Sequence, residues 1–377
     1  MKISQLETPC LVLDKQKLTK NINALHQRMQ KLGVNLRPHG KTAKCIEVMN
    51  MALTGQQNSV CVSTLKEAEY YFSHGITDII YAVGISPIKM QRSIDLIKRG
   101  AQLTLLVDNM EQVNFVAEFA DKEQVTIEVL IEIDCDGHRS GVAQTDPILL
   151  EIGRALHHNS GTSLAGILTH AGESYNCKSD NELREIAQLE RDVAVQCADI
   201  LRADNLPCET VSVGSTPTAN FAQDLSGITE VRAGVFVFYD LVMAGIGVCK
   251  VDDIAVSVLT SVIGEQKNKG WIISDAGWMA LSRDRGTARQ AQDYGYGQVC
   301  DENGTPLANT TLSSANQEHG IIEKHGETPI DSSKFHVGSL LRVLPNHACA
   351  TSAMHDKYYV TDGSDEVVEI WQRINGW

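Results

Sequence analysis

The chain has 377 residues, of which 43% are hydrophobic, and a formal net charge of −14. This length exceeds an ordinary single core and predicts about two domains, and the acidic balance argues against nucleic acid as a partner. No apolar run approaches the roughly 20 residues that cross a bilayer, and the first residues contain no hydrophobic signal segment. Ten cysteines without CxxC spacing indicate reduced thiols. We therefore expect a globular cytoplasmic protein without a membrane partner.

The first two thirds of the chain alternates short apolar runs with longer amphipathic segments. The segments TLKEAEYYFSHG and DNELREIAQLERDVAVQCADILRAD repeat apolar residues at helical spacing. Nearly continuous apolar strands are typical of a parallel sheet that is buried on both faces. Eight such units predict an α/β fold, a (β/α)8 TIM-type barrel over residues 14–245, with a doubly wound open sheet as the alternative. The runs that we interpret as strands are 35–39, 59–64, 78–83, 102–108, 126–134, 163–170, 210–215 and 230–234.

The pattern changes after residue 245. The runs IAVSVLTSVIGE, GWIISDAGW, SLLRVLPNHACATS and KYYVTD are rich in β-formers and are separated by Gly, Asn and Asp. They predict a mostly β C-terminal domain over residues 246–377. The opening segment 1–13 contains the strand-like run TPCLVLD, which we expect to pair with this distant domain.

The stretch LRPHGKTAKC places Lys41 among Arg37, His39 and Lys44. Repulsion between like charges favours loss of a proton, so Lys41 or Lys44 is expected to present a neutral amine. A neutral amine attacks carbonyl groups and forms Schiff bases. In a parallel barrel the active site lies beyond the carboxyl ends of the strands, where this lysine stands. The other polar residues at predicted strand ends are Ser63, Thr64, Asp134, Arg139, His170 and Tyr175.

Two small-residue strings follow the seventh and eighth predicted strands, GSTPT (214–218) and AGVF (233–236). Small residues let backbone N–H groups converge on an anion, and Ser215, Thr216 and Thr218 add hydroxyl donors. The corresponding loops of (β/α)8 barrels often hold a phosphate. A Schiff-base lysine opposite a phosphate site suggests pyridoxal 5'-phosphate (PLP). A sugar-phosphate aldolase would use similar groups, so this alternative stays open.

Near the end of the chain His347 and Cys349 stand two residues apart. In an extended segment such positions point to the same face, and an imidazole beside a thiolate suits Zn²⁺. Two protein ligands are too few for a closed structural zinc site, so the arrangement indicates a catalytic Lewis acid. The alternative is a buried cysteine beside an ordinary loop histidine.

Seven strings occur in this order: TPCLVLD, RPHGKTAK, HAGESY, GSTPT, EVRAGVFVFYD, QEHG and PNHACAT. Together they resemble the D-serine dehydratase and D-threonine aldolase group of fold-type III PLP enzymes, which are distant relatives of alanine racemase. The resemblance spans nearly the whole chain. It implies an alanine-racemase-like barrel followed by a β domain, and a homodimer.

The resemblance also implies roles for individual residues. Lys41 would form the Schiff base with PLP and act as the base at the substrate Cα. His347 and Cys349 would bind the metal, usually zinc. The cofactor would further be contacted by His39, Arg139, His170, Tyr175, Gly214, Ser215, Thr216, Gly234 and Val235.

One position separates the two activities of this group. The aldolases resembled here have an aspartate two residues after the metal-binding histidine, whereas this chain has Cys349, as the dehydratases do. We therefore expect a dehydratase that converts a D-3-hydroxyamino acid, D-serine or D-threo-3-hydroxyaspartate, to a 2-oxo acid and ammonia. The alternatives are an aldolase that yields glycine and an aldehyde, an amino-acid racemase, and a non-catalytic PLP-binding protein.

Overall fold

A computed structural model describes residues 1–326 and 330–377. The chain divides into two compact units, which are Met1–Asn23 with Val235–Asn375 and Ala24–Gly234 with Gly376–Trp377. The sequence placed the domain boundaries after residues 13 and 245, whereas this division falls within the first helix and directly after the last barrel strand. In the described part of the chain, no helix combines the length and the apolar character that a membrane span requires.

The chain begins with strand β1 (Cys10–Asp14) and helix α1 (Lys15–Lys31). The next strands are β2 (Asn35–Pro38), β3 (Ser59–Val62), β4 (Asp78–Gly84), β5 (Gln102–Val107), β6 (Ile127–Asp134), β7 (Val142–Ala143), β8 (Thr162–Thr169), β9 (Thr210–Val213) and β10 (Glu230–Ala233). The helices between them are α2 (Ile46–Leu53), α3 (Leu65–Ser73), α4 (Pro87–Lys98), α5 (Met110–Glu123), α6 (Ile148–His158), α7 (Asp180–Ala203) and α8 (Thr216–Phe221).

Eight of these strands form a closed parallel barrel. Their hydrogen-bonded order is β2-β10-β9-β8-β6-β5-β4-β3, and a parallel bridge between His39 and Cys61 joins the two ends of this order. The predicted (β/α)8 barrel is therefore confirmed, and the open doubly wound sheet is wrong. The short β7, which the sequence did not predict, pairs with β6. Inward-facing residues pack into one buried cluster of Cys61, Ile80, Leu106, Leu130 and Leu168.

The two helices predicted from their amphipathic patterns are α3 and α7. Each begins at a hydroxyl residue that caps it, because Thr64 accepts a hydrogen bond from the N–H of Glu67 and Ser179 accepts one from Glu182. Helix α7 buries one face along its length, and this face includes the carboxyl residue Glu190.

The second unit is built on an antiparallel-rich sheet. Its elements are α9 (Leu241–Gly245), β11 (Val256–Gln266), β12 (Trp271–Ser274), α10 (Trp278–Leu281), β13 (Gln298–Cys300), β14 (Pro306–Ala315), β15 (Gly320–Lys324), β16 (Leu340–Leu344), α11 (Ala348–Ser352), β17 (Lys357–Thr361) and β18 (Val367–Gln372). The strand order is β12-β15-β14-β13-β16-β11-β1-β17-β18. Strand β1 pairs antiparallel with β11 and parallel with β17. This is the pairing expected for the opening run.

One predicted β segment is only partly extended. The run SLLRVLPNHACATS forms strand β16 up to Leu344, and its second half forms helix α11 instead. Pro345 directly follows the strand, and its missing N–H cannot extend the ladder of hydrogen bonds. The sequence interpretation of residues 348–352 as strand-like was therefore wrong.

Candidate active site

Lys41 stands in the turn that follows β2, and its side chain is exposed. Its backbone N–H donates to Nδ1 of His39 over 3.3 Å, and Nε2 of His39 is 3.4 Å from the Ser63 hydroxyl. The N–H of His39 donates to the carbonyl of Ala233 over 2.7 Å. Burial and the charge of Lys41 hold the pKa of His39 well below its usual range. A neutral ring that accepts at Nδ1 therefore fixes the turn that carries Lys41.

The crowd of cations expected around Lys41 is smaller than predicted. Arg37 donates to Glu230 and to Asp78, each over 2.7 Å, and both carboxylates belong to the first residues of their strands. Arg37 is therefore engaged at the amino end of the barrel, away from the lysine turn. Lys44 lies 3.1 Å from the buried carboxylate of Glu67. The prediction that these two residues crowd Lys41 was wrong, since each has its own anionic partner.

His170 follows β8, and its ring makes a hydrogen bond of 3.0 Å to the carbonyl of Gly214. A carbonyl only accepts, so Nδ1 carries the proton. Burial lowers the pKa of His170 to about 3; the bond to Gly214 opposes this shift, and the positive charges of Arg139, Lys41 and Arg232 add to it. The imidazole is therefore neutral near pH 7, among three cations.

At the start of the predicted phosphate-binding string, the backbone of Gly214 lies very close to the backbone of Arg232 in the neighbouring strand. Gly214 has φ of +129°, and a Cβ at this position would lie 2.4 Å from the carbonyl oxygen of Arg232. Only glycine fits here. The next residue, Ser215, caps α8, because its hydroxyl accepts from the N–H of Thr218 over 3.1 Å. Its own N–H donates to the Thr218 hydroxyl over 3.0 Å.

The second small-residue string lies against the lysine turn. A Cβ on Gly234 would stand 3.0 Å from the hydroxyl of Thr42 and 3.2 Å from Cβ of His39. Glycine at this position therefore allows a close approach to the turn that carries Lys41. Val235 begins a short 3-10 helical turn, Val235–Val237, and the other predicted phosphate residue, Thr216, begins α8.

The remaining predicted cofactor contacts lie in the neighbouring loops of the barrel unit. The ring of Tyr175 is 6.2 Å from that of His170, centroid to centroid. The adjacent Ser174 brings its hydroxyl to 2.9 Å from that of Ser215. The side chain of Arg139 is 52% exposed, and its nearest described acid is Glu132 at 3.7 Å. The barrel therefore brings together most residues that the sequence proposed.

Sequence reasoning missed a buried arginine in this unit. Arg232, in the middle of β10, is 4% exposed and donates to the hydroxyl of Ser212 and to the carbonyl of Thr169, each over 2.6 Å. A charged residue inside an apolar parallel strand was the signal for it, since such strands are usually apolar throughout.

It also missed Glu190, which is 2% exposed. Its Oε1 accepts the backbone N–H of Ala171 over 2.8 Å and that of Gly214 over 3.2 Å. One carboxylate thus ties the loop after His170 to the loop of the phosphate string, although burial raises its pKa. An acid on the apolar face of a long amphipathic helix was the available signal.

The predicted metal ligands converge, but in a different conformation from the one expected. His347 is the residue that precedes α11, and Cys349 lies in the first turn of that helix. The two side chains hydrogen-bond to each other. The extended segment that the sequence predicted is therefore wrong, whereas the contact between imidazole and thiol is present.

Two aspartates that the sequence did not single out support this pair. Oδ2 of Asp284 is 2.6 Å from Nδ1 of His347. The buried Asp240 accepts the N–H of Ala348, the residue between the two ligands, over 2.9 Å. Burial lowers the pKa of His347, but the hydrogen bonds to Asp284 and Cys349 outweigh burial and raise this pKa to about 11.

Within residues 1–326 and 330–377, no group of three or more His, Cys, Asp or Glu residues is arranged to hold a metal ion. A metal at His347 and Cys349 would therefore keep open positions for other ligands. An imidazole with a fixed Nδ1 proton and a neighbouring thiol is a donor set that fits zinc.

Two family models match the chain. The alanine racemase N-terminal domain matches residues 13–241, and the putative serine dehydratase domain matches residues 255–361. Together they cover the barrel strands and most of the second unit.

Curated relatives and solved structures match over nearly the whole chain. The D-threo-3-hydroxyaspartate dehydratase of Delftia sp. (strain HT23) is 50% identical over 99% of this chain and 98% of its own. The D-serine dehydratase of Dictyostelium discoideum is 31% identical over 100% and 98%, and the 3-hydroxy-D-aspartate aldolase of Paracoccus denitrificans (strain Pd 1222) is 27% identical over 98% and 92%. A solved structure of a cysteine-to-alanine variant of D-threo-3-hydroxyaspartate dehydratase in the metal-free form has a TM-score of 0.98 at 49% identity, covering 100% of both chains.

Proposed function

Because the chain belongs to the fold-type III PLP enzymes that join an alanine racemase N-terminal domain to a serine dehydratase domain, we propose that it is a D-3-hydroxyamino acid dehydratase. The products are a 2-oxo acid and ammonia, and the proposed substrates are D-threo-3-hydroxyaspartate and D-serine. The observation that carries this proposal is the contact between His347 and Cys349, which prepares a metal site suited to removing a hydroxyl group.

The barrel residues fit PLP. Gly214 and Gly234 permit backbone approaches that a Cβ would block, which supports two compact loops whose N–H groups could converge on a phosphate, and the lysine turn lies beside the second of them. When bound, PLP acts as an electron sink for the charge that remains at Cα after proton loss. Lys41 would hold the cofactor through its side-chain amine, and the same amine would accept the Cα proton of the substrate. We propose that His39, Arg139, His170, Tyr175, Ser215, Thr216 and Val235 complete the cofactor contacts.

His347 and Cys349 would hold a divalent metal, with zinc as the proposed ion. When bound, the metal acts as a Lewis acid for the β-hydroxyl, which is otherwise a poor leaving group. Nε2 of His347 and the thiolate of Cys349 supply the ligands, and Asp284 keeps the proton on Nδ1. The solved cysteine-to-alanine variant of D-threo-3-hydroxyaspartate dehydratase is described as the metal-free form, which supports a metal in this group of enzymes.

An aldolase is the second candidate. The similarity to a 3-hydroxy-D-aspartate aldolase supports it, although at 27% identity against 50% for the dehydratase. A racemase has no use for His347 and Cys349. A non-catalytic PLP-binding protein would resemble the barrel alone, and the match of residues 255–361 to a serine dehydratase domain argues against it.

Product analysis separates these functions. The purified protein is incubated with D-serine, D-threonine and D-threo-3-hydroxyaspartate, with and without a chelator, and the products are identified by chromatography. The proposal predicts stoichiometric ammonia and 2-oxo acid, and loss of both after chelation. Glycine with an aldehyde would instead establish the aldolase, and the L-enantiomer alone would establish the racemase.

We further propose that the enzyme is a cytoplasmic homodimer. In the described part of the chain the cysteines form no disulfide, which agrees with a reducing compartment. Light scattering coupled to size-exclusion chromatography would give twice the chain mass of 41.3 kDa for the dimer. A mass of one chain would contradict it.

A further inference from the structure

The carboxylate of Asp284 determines which nitrogen of His347 is available. At 2.6 Å from Nδ1, Oδ2 is within the range of a charge-assisted hydrogen bond. An ionised carboxylate only accepts, so Nδ1 carries a proton and donates it. A metal ligand must present an unprotonated nitrogen, and Nε2, whose proton a metal would displace on binding, is then the nitrogen that can do so. Asp284 therefore selects both the tautomer and the direction of the ring.

Asp284 is itself held by the residue next to His347. The amide of Asn346 donates to the carbonyl oxygen of Asp284 over 3.2 Å and to that of Gly295 over 2.6 Å. Its oxygen accepts from the hydroxyl of Thr287 over 3.0 Å. Asn346 is 3% exposed. Two consecutive residues thus bind Asp284: Asn346 contacts its main chain, and His347 contacts its side chain.

The backbone that leads to Asp284 is strained. Ser282 has φ of +74° and ψ of 167°, a region that residues other than glycine rarely adopt. It is 5% exposed, and its hydroxyl accepts the N–H of Asp284 over 3.2 Å. Such strain persists only where the surrounding contacts impose it, and it concentrates at functional sites. Here it places the carboxylate against the imidazole.

An ordinary surface ion pair does not explain this arrangement. The side chains of His347 and Asp284 are 42% and 36% exposed, and exposed ion pairs contribute little to stability. The nearby pair of Arg285 and Asp293 has similar exposures, 37% and 44%, and a separation of 2.9 Å. The carboxylate of Asp293 pairs with Arg285 and accepts the N–H of Gly295, whereas that of Asp284 pairs with His347.

We propose that Asp284 is a positioning residue that orients His347 for metal binding, an inference that rests on the proposed function. It touches neither the substrate nor the reacting atoms. Its effect is to hold Nε2 of His347 ready for the metal and to increase the donor strength of the ring.

The test measures zinc affinity by competition with a chromophoric chelator, in the PLP-loaded protein. Asp284→Ala is expected to weaken zinc binding by roughly 10–100-fold, the range typical of losing such a partner. Asp284→Asn is expected to weaken it by a smaller factor, since the amide oxygen can still accept from Nδ1. Asp293→Ala is the matched control and should bind zinc within about twofold of the wild type.

The second readout is the visible spectrum of the cobalt-loaded protein, which reports ligand geometry and would not respond to a merely structural change. It should change in Asp284→Ala and less in Asp284→Asn; if the alanine variant does not fold, the asparagine spectrum decides. Zinc affinity and a cobalt spectrum equal to the wild type in Asp284→Ala would overturn the role of Asp284 alone. A His347→Ala variant that binds zinc with the wild-type affinity would overturn the metal site itself.

Discussion

At the scale of single residues, the charges near Lys41 are arranged differently from what the sequence suggested. Arg37 and Lys44 have carboxylate partners of their own, and the cations that act on the barrel histidines are Lys41, Arg139 and Arg232. The motif could reveal Lys41 because its neighbours in the chain carry the signal. The motif could not reveal that Arg37 pairs with Glu230, since these two residues are 193 positions apart in the sequence.

The low pKa of His170 makes stability depend on pH. Its folded pKa is about 3 and its unfolded value is near 6.5, so below pH 6.5 the unfolded chain binds a proton that the folded protein does not. Stability should therefore fall as pH falls through this window, by about 1 kcal/mol between pH 7 and 5.5 from this residue.

Urea unfolding of the wild type and of His170→Gln at the two pH values checks this. The glutamine variant keeps a donor for the Gly214 carbonyl but does not titrate, so it should lose about 1 kcal/mol less than the wild type. Equal losses in the two proteins would show that His170 is not held neutral by the fold.

At the scale of elements, the barrel strands could be predicted from the sequence because strands buried on both faces form nearly continuous apolar runs. All eight predicted runs became strands, from Asn35–Pro38 to Glu230–Ala233. The sequence missed strands β13, β14, β15 and β18. Strand β18 is largely exposed and β14 buries only its central residues, so the apolar signal of these two strands is weak. The extended conformation predicted for His347 and Cys349 was wrong because Pro345 ends β16 before these residues.

The amino end of the barrel offers a test of what holds these elements together. Arg37 is buried between Glu230 on β10 and Asp78 on β4. Arg37→Leu would leave the buried Glu230 without its cation, which should lower the free energy of unfolding by about 3–5 kcal/mol. The Michaelis constant of the folded fraction should stay unchanged, because Arg37 lies at the end of the strands opposite the lysine turn.

The matched control is Arg154→Ala, which removes a 2.7 Å ion pair with Asp204 in which the arginine is 50% exposed. It should lower the free energy of unfolding far less than Arg37→Leu, because exposed ion pairs contribute little to stability. A comparable loss in both variants, measured by denaturant unfolding, would mean that burial of the Arg37 pair does not anchor the barrel.

At the scale of the whole molecule, each unit contributes one kind of chemistry. The barrel unit carries Lys41 and the string 214–218, and the second unit carries His347, Cys349 and the aspartates that contact this segment. The motifs gave these residues by type and spacing. The aspartates could not be predicted, since Asp284 and Asp240 reach their partners only through tertiary contacts across 63 and 108 residues.

The proposed reaction assigns its two bond-breaking steps to different residues. In that proposal Lys41 would remove the Cα proton, and a metal held by His347 and Cys349 would assist departure of the hydroxyl group. Removing the metal should therefore stop elimination without stopping proton removal, whereas removing Lys41 should stop both.

The most direct measurement follows D-serine in heavy water by NMR and mass spectrometry, recording deuterium at Cα together with ammonia release. The account predicts that metal-depleted protein and His347→Ala still exchange the Cα proton but release ammonia at least about 100-fold more slowly, and that Lys41→Ala does neither. Ammonia release at the wild-type rate from Lys41→Ala, or from the metal-depleted protein, would contradict it.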